Sequence, residues 1–142
     1  MSDSQKTAYK PDSPQHSQLT KHFYTRDYTK KWPGLTLKRA KDIGDEIGVD
    51  WSIVDLGQFI QGIKEEMEHG TEYGQPTTVH NDDYVTSGRI AYAHLIERPD
   101  YYSALELMEQ EGDDKFQDSD DLKKAWVADQ RQNYQDLWQS SQ

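Results

Sequence analysis

The residues best suited to chemistry in this sequence are Glu66, His69, His94 and Glu97, which lie in two predicted helices. His94 and Glu97 are three positions apart, so they share one face of a helix. Imidazole and carboxylate side chains from facing helices form the metal sites of helical bundles, and such ligands suit zinc, manganese or iron. A divalent-metal site on these four residues is therefore one hypothesis.

A hydrogen bond between Glu66 and His94 is a simpler interpretation of these two residues than a metal site, because it needs no further ligands. Each flanks the apolar stripe of its predicted helix, so the two meet if the helices pack side by side, where a buried polar group needs a partner. The helix dipole favours His69 at a helix end, and the paired Glu-x-x-His motifs of di-iron bundles are absent. We therefore expect Glu66 and His94 to lie within hydrogen-bond reach, directly or through one water or metal ion, and no cofactor other than that metal.

Signatures of common enzymes are missing from the sequence. It has no glycine-rich phosphate loop, no G-x-S-x-G elbow and no H-E-x-x-H helix. It also has no cysteine, which excludes disulfides, thiolate metal sites and cysteine nucleophiles. We therefore predict a protein that is not an enzyme.

Four helices must position the Glu and His residues. Apolar residues at helical spacing predict an all-α core over residues 35–110. The predicted helices cover 36–48, 55–70, 81–99 and 99–110. Thr36 and Asp55 are suitable N-terminal caps, and Gly48 is a suitable C-terminal one. Gly62 and Gly88 are small enough for close helix crossings.

The segment before this core is predicted to be an extended or disordered arm, residues 1–34. It carries six Lys/Arg and three Asp/Glu, with three prolines and few aliphatic residues. Its aromatic residues alternate with basic ones and are candidate interaction residues: Phe23, Tyr24, Tyr28 and Trp32. The arm packs back on its own acidic domain, or it docks on a partner or on nucleic acid. We expect the remaining chain to fold without it.

The segment after the core, residues 111–142, is predicted to be an acidic linker followed by a helix near 120–139. Trp126 and Trp138 stand on this otherwise polar helix. Both rings need a surface to cover, either on the chain itself or on a partner, and they are further candidate interaction residues.

Charge and hydropathy narrow the classes of partner. The formal net charge of −10 disfavours direct binding of nucleic acid, because phosphate contacts need a basic face. No apolar run is long enough for a transmembrane helix or a secretory signal. We expect a cytoplasmic protein that binds another protein or a second copy of itself, without a membrane.

Three segments give the sequence a family resemblance. An E-x-E-H-G turn falls on Glu66–Gly70, an N-D-D helix start on Asn81–Asp83, and an A-x-x-H-L-x-E-x-P-D-Y-Y segment on Ala91–Tyr102. Together they resemble a small uncharacterised family of bacterial and phage genomes, over residues 36–109. The resemblance implies no assigned activity, but it suggests a phage setting, in the host cytoplasm or the virion.

Three functions remain open. The first is a non-enzymatic protein that binds another macromolecule, as a phage virion component or an accessory factor. The second is a metal-binding helical domain. The third is an acidic mimic of nucleic acid that inhibits a DNA-binding protein.

Overall fold

The computed structural model of the chain describes residues 14–69, 75–76 and 83–142, apart from the side chain of His69. The helices within these ranges are α1 (Pro14–Phe23), α2 (Leu37–Ile47), α3 (Leu56–Glu66), α4 (Tyr84–Glu97), α5 (Tyr101–Phe116), α6 (Asp120–Asn133) and α7 (Gln135–Ser140). Short 3₁₀ turns cover Tyr28–Lys30 and Met67–His69. No strand occurs within the same ranges, so the all-α prediction is confirmed. The chain divides into two compact units, residues 1–104 and 105–142.

The predicted caps set the helix starts in the first unit. The side chains of Thr36, Asp55 and Asp83 each accept a hydrogen bond from a backbone N–H two or three residues further on. Such caps satisfy N–H groups that have no partner inside the helix. Gly48 ends α2 with φ at 85°, a left-handed conformation that glycine adopts without steric cost.

Helix α3 lies at the centre of the first unit. It packs against α1, α2 and α4, and nine of its eleven residues are buried. Its apolar side chains form the middle of a core that α2, α4 and the N-terminal segment complete. The fully buried apolar residues are Phe23, Leu35, Ala40, Ile43, Phe59, Ile60, Ile63, Met67, Ala91 and Leu95.

Gly62 permits the close approach of α3 and α4. A Cβ atom at this position would lie 2.8 Å from the Cβ of Ala91 and 2.5 Å from the Tyr102 ring. A Cβ on Gly88 would lie 3.1 Å from a methyl group of Ile43. The expected close crossings at both glycines are therefore present.

Residues 14–34 differ from the extended arm that the sequence predicts. Residues 14–23 form α1, which packs on α3, and the side chains of Phe23 and Tyr28 are buried. The polar, proline-containing composition suggested an arm because the segment has too few apolar residues for a core of its own. It needs none, because its few apolar residues complete the core formed by α2, α3 and α4. Residues 1–13 lie outside the described part of the chain.

The second unit is a series of helical segments without a buried interior. Helix α5 runs through Gly112 to Phe116, so most of the predicted acidic linker is helical. The chain then turns at Gln117 and Asp118, both with positive φ, and Ser119 caps α6. The predicted C-terminal helix is divided at Tyr134 into α6 and α7, neither of which contains a buried residue.

Candidate functional site

Glu66 and His94 meet in the first unit, as the sequence predicts. Glu66 Oε2 lies 3.3 Å from His94 Nδ1. The two residues come from the end of α3 and the last turn of α4, which pack side by side. The Glu66 side chain is only 5% exposed, whereas that of His94 is 32% exposed. The pair therefore joins a buried carboxylate to a ring that reaches the surface.

Tyr102 joins this pair through its hydroxyl group. The hydroxyl donates to Glu66 Oε2 at 2.9 Å and lies 3.0 Å from His94 Nδ1. A hydroxyl has one proton, so a hydroxyl that donates to the carboxylate can only accept from the imidazole. We therefore assign the N–H of the His94 ring to Nδ1, which leaves Nε2 as the nitrogen that can bind a ligand.

The Tyr102 hydroxyl is held in its protonated form. Burial raises the pKa of Tyr102 well above its ordinary value, and the nearby Glu66 carboxylate raises this pKa further. Both causes disfavour a phenolate, because the charge would be poorly solvated and close to another negative charge. Tyr102 is therefore a hydrogen-bond donor to Glu66.

Tyr101 holds the His94 ring from its other side. The two rings are stacked, with centroids 4.3 Å apart and planes at 17°. Residue types alone identified Glu66 and His94, but they missed Tyr101 and Tyr102. The available signal was the Tyr101–Tyr102 pair that follows Pro99 and Asp100, because a helix that starts there returns its first turn to the end of α4.

The position of Tyr102 depends on Gln58, a second residue that sequence reasoning missed. The Gln58 side-chain oxygen accepts from the backbone N–H groups of Tyr102 and Ser103, at 3.0 and 3.3 Å. Its amide nitrogen donates to Thr20 and to the Ser103 hydroxyl. One buried amide thus links α1, α3 and α5. The sequence feature that could have indicated this role is a glutamine within the apolar pattern of α3.

The other predicted metal ligands do not join the Glu66–His94 pair within the described residues. Glu97 is exposed, and the side chain of His69 lies outside the described part. Across the described ranges, no group of three or more His, Cys, Asp or Glu residues is arranged to hold a metal ion. The metal hypothesis therefore stays a prediction that rests on Glu66 and His94.

The predicted interaction residues fall into two groups. Phe23 and Tyr28 are 0% and 6% exposed, so these rings belong to the core and are not available to a partner, which corrects their prediction as interaction residues. Tyr24 is exposed and donates to Asp55 at 2.7 Å, and Trp32 is half-buried. Trp126 and Trp138 are each 43% exposed.

A family model for DUF5661, a protein of unknown function, matches residues 40–111, half of the chain. The chain belongs to the DUF5661 family. No curated protein and no solved structure matches it. The DUF5661 match includes Glu66, His94 and Tyr102, but it leaves out α1, α6 and α7. The expected relationship to an uncharacterised family is therefore confirmed.

The sequence led us to expect no helix that spans a membrane. None of the described helices is both long and apolar enough to cross a bilayer.

Proposed function

We propose that this DUF5661 protein is a non-enzymatic protein that binds another macromolecule through its C-terminal unit. The observation that supports the proposal is the exposure of large apolar side chains on a unit without buried residues in α6 and α7. These side chains are between 41% and 70% exposed, and we call them the C-terminal apolar residues: Leu122, Trp126, Val127, Tyr134, Leu137 and Trp138.

Exposed apolar surface of this kind favours association. Each Å² of apolar surface removed from water contributes about 25 cal/mol, and tryptophan and tyrosine are common among residues that dominate binding energy. Two tryptophans, one tyrosine and Leu137, which is 70% exposed, lie within the last 17 residues of the chain. A partner that covers them would gain this contribution.

The charge of the unit favours a partner with a basic surface. Residues 105–142 contain ten Asp/Glu and four Lys/Arg, a formal net charge of −6. The tryptophan rings also accept cations: the Arg131 guanidinium lies 4.6 Å from the centroid of Trp138, and the Lys115 ammonium lies 5.8 Å from that of Trp126. Basic side chains of a partner would find both acidic and aromatic groups there.

The family resemblance suggests a phage protein that acts in the host cytoplasm or in the virion. A phage protein of this size and charge would act as a virion component or as an accessory factor in the host. A nucleic-acid mimic is a special case of the same proposal, because its target is also a basic protein surface.

Site-specific photo-crosslinking tests the proposal. A photoreactive residue at Leu137 of the full chain, expressed in its native cells, should produce a discrete adduct with a basic protein. The same residue at Lys38, an exposed position on α2, is the matched control and should produce none. Equal labelling at both positions, or none at Leu137, would contradict the proposal. Loss of the adduct in the presence of competing DNA would identify the partner as a DNA-binding protein.

A second candidate function is the metal binding predicted from Glu66, His69, His94 and Glu97, and its support among the described residues is limited to the Nε2 atom of His94, because Glu66 lies at Nδ1 of the same ring. A metal-binding histidine commonly donates its second ring N–H to a carboxylate or another polar group, as His94 does at Nδ1. Zinc and manganese titrations of chelator-treated protein test this function. Metal binding should raise the melting temperature of the native chain but not that of the His94→Ala variant.

A further inference from the structure

The turn between α5 and α6 brings two aromatic rings together. Phe116 is the last residue of α5, and its ring meets that of Trp126 on α6 edge to face, with centroids 6.4 Å apart. The turn itself lies at Gln117 and Asp118. We call Phe116 and Trp126 the aromatic pair, and both belong to the second unit.

A cation of the chain itself occupies the aromatic pair. The Lys115 ammonium lies 5.6 Å from the centroid of Phe116 and 5.8 Å from that of Trp126. Both distances are within the range of about 6 Å over which the negative face of a ring attracts a cation. Lys115 is exposed, and it forms no ion pair within the described residues. This corner of the molecule therefore holds a cation mainly through its two rings, where solvent and another cation can reach it.

The sequence around the aromatic pair is acidic. Residues 111–121 contain six Asp/Glu and one Lys, which is Lys115, so their formal net charge is −5. Asp118 lies 3.6 Å from Lys123. The aspartates on both sides of the turn form no ion pair within the described part of the chain: Asp113, Asp114, Asp120 and Asp121. A cation that approaches the aromatic pair would therefore meet negative charges that the chain does not neutralise.

Apolar surface beside the aromatic pair favours a guanidinium group over an ammonium group. The Trp126 side chain is 43% exposed, and that of Leu122, four positions earlier on the same face of α6, is 41% exposed. A guanidinium group is planar and weakly hydrated, so it stacks on aromatic rings while its N–H groups reach carboxylates. An ammonium group is more strongly hydrated and has no planar face.

We propose that the aromatic pair binds an arginine side chain of the partner, in the place that Lys115 occupies in the free chain. This inference rests on the proposed function, and it assigns the chemistry by which the partner is recognised: an arginine within a basic segment. Lys115 is then an internal competitor, because the incoming guanidinium displaces its ammonium from the two rings. All three residues follow residue 111, where the DUF5661 match ends, so this recognition is not a property of the family domain.

Calorimetric titration of the full chain with a short peptide of alternating arginine and serine tests the proposal. The peptide should bind saturably, and its affinity should fall as the salt concentration rises, since the site is exposed. The same peptide with citrulline in place of each arginine should bind at least about fivefold more weakly, because citrulline keeps the shape but not the charge. No saturable binding of the arginine peptide, or equal binding of the citrulline peptide, would overturn the proposal.

Two lysines of the same unit separate the displacement of Lys115 from a general effect of charge. Lys115→Gln should tighten the binding of the arginine peptide by about two- to fivefold, because it removes the competing cation from the rings. Lys124→Gln changes the net charge equally at an exposed position of α6 and should alter the affinity by less than about twofold. Equal gains in both variants would overturn the proposal, since charge alone would explain them.

Substitutions of Trp126 test the requirement for an aromatic face. Trp126→Leu keeps an apolar side chain and should weaken binding by at least about threefold, whereas Trp126→Phe keeps a ring and should recover most of that affinity. Equal losses in both variants would contradict a role of the ring.

Two further outcomes separate this site from other occupants and from the proposed function. Dimers of the chain that Trp126→Leu abolishes, measured by sedimentation, would identify a second copy as the occupant and overturn the assignment of an arginine peptide. An adduct at Leu137 in the crosslinking experiment, without binding of the arginine peptide, would leave the proposed function intact and overturn only this site.

Discussion

The side-chain oxygen of Gln58 lies 3.0 Å from the backbone nitrogen of Tyr102 and accepts its hydrogen bond. Tyr102 is in the first turn of α5, where backbone N–H groups have no partner inside the helix. Gln58 therefore caps α5 with a side chain from the buried α3, and it holds Tyr102 where the hydroxyl reaches Glu66. The cap and the Glu66–Tyr102–His94 contact are parts of one polar network.

Removal of the Gln58 amide should destabilise the first unit. Gln58→Met keeps the length of the side chain but leaves the N–H groups of Tyr102 and Ser103 without an acceptor. Each buried group of this kind costs about 1–3 kcal/mol, so we expect a loss of about 2–4 kcal/mol in the free energy of unfolding, measured in urea. Gln132→Met, at an exposed position of α6, should change it by less than about 0.5 kcal/mol. A similar effect of both substitutions would show that Gln58 is not a cap.

Tyr102 should make the protein sensitive to alkaline pH. In the unfolded chain its hydroxyl ionises near the ordinary pKa of 10.0, whereas burial and Glu66 raise this pKa in the folded protein. Above pH 10 the folded state therefore holds a proton that the unfolded state has lost, and the free energy of unfolding falls as the pH rises. This contribution is fully present below pH 10.

Comparison with Tyr102→Phe isolates this contribution from other groups that titrate at high pH. The variant should be less stable at neutral pH, because the Glu66 carboxylate loses a donor, but its stability should decline less steeply above pH 10. Urea unfolding at a series of pH values measures both slopes. Parallel slopes in the two proteins would contradict the raised pKa of Tyr102.

Two glycine substitutions in helices should have opposite effects. Gly62→Ala places a methyl group 2.5 Å from the Tyr102 ring and 2.8 Å from the Ala91 methyl group, so we expect a loss of about 1–3 kcal/mol. Gly112→Ala meets nothing within 4 Å and should increase helix stability by about 0.5–1 kcal/mol. Thermal melting followed by circular dichroism measures both changes. A stabilising Gly62→Ala would show that α3 and α4 are further apart than described.

Phe23 lies outside the family match, but its substitution should strongly destabilise the core. Phe23→Ala should cost about 3–5 kcal/mol, because a fully buried ring leaves a cavity. Ile53→Ala, at a side chain that is 47% exposed, is the control and should cost less than about 1 kcal/mol. Unfolding in urea measures both.

The same burial argues against our expectation that the chain folds without its first 34 residues. Deletion of residues 1–34 removes Phe23 and Tyr28 from the core, so the truncated protein should unfold at a lower temperature or lose cooperative melting. An unchanged melting temperature would instead show that the N-terminal segment adds little to the core.

Local chemistry explains why part of this fold could be predicted. Thr36 and Asp55 cap their helices through contacts that span three residues, so the sequence nearby is sufficient. The meeting of Glu66 and His94 followed from the helical period, which places both beside apolar stripes. These features depend on spacing, which a single sequence displays.

The remaining features depend on contacts between distant residues. Gln58 and Ser103 are 45 positions apart, and nothing near either residue indicates the other. Residues 14–34 were predicted to be extended or disordered because they contain few aliphatic residues. Their sequence does not show that Phe23 and Tyr28 join a core formed by other helices. The helix predicted over residues 99–110 continues through Gly112, because the cost of about 1 kcal/mol for a glycine in a helix interior is small enough for the surrounding residues to offset.

The burial of nine of the eleven residues of α3 has a consequence for hydrogen exchange. Its backbone amides can reach solvent only when α1, α2 and α4 separate from it, so they should exchange with deuterium at rates set by global unfolding of the first unit. Helices α6 and α7 bury no residue, and their amides should exchange through local opening. Partner binding at the C-terminal apolar residues would then slow exchange in α6 and α7 while leaving α3 unchanged, and this contrast would locate the interface residue by residue.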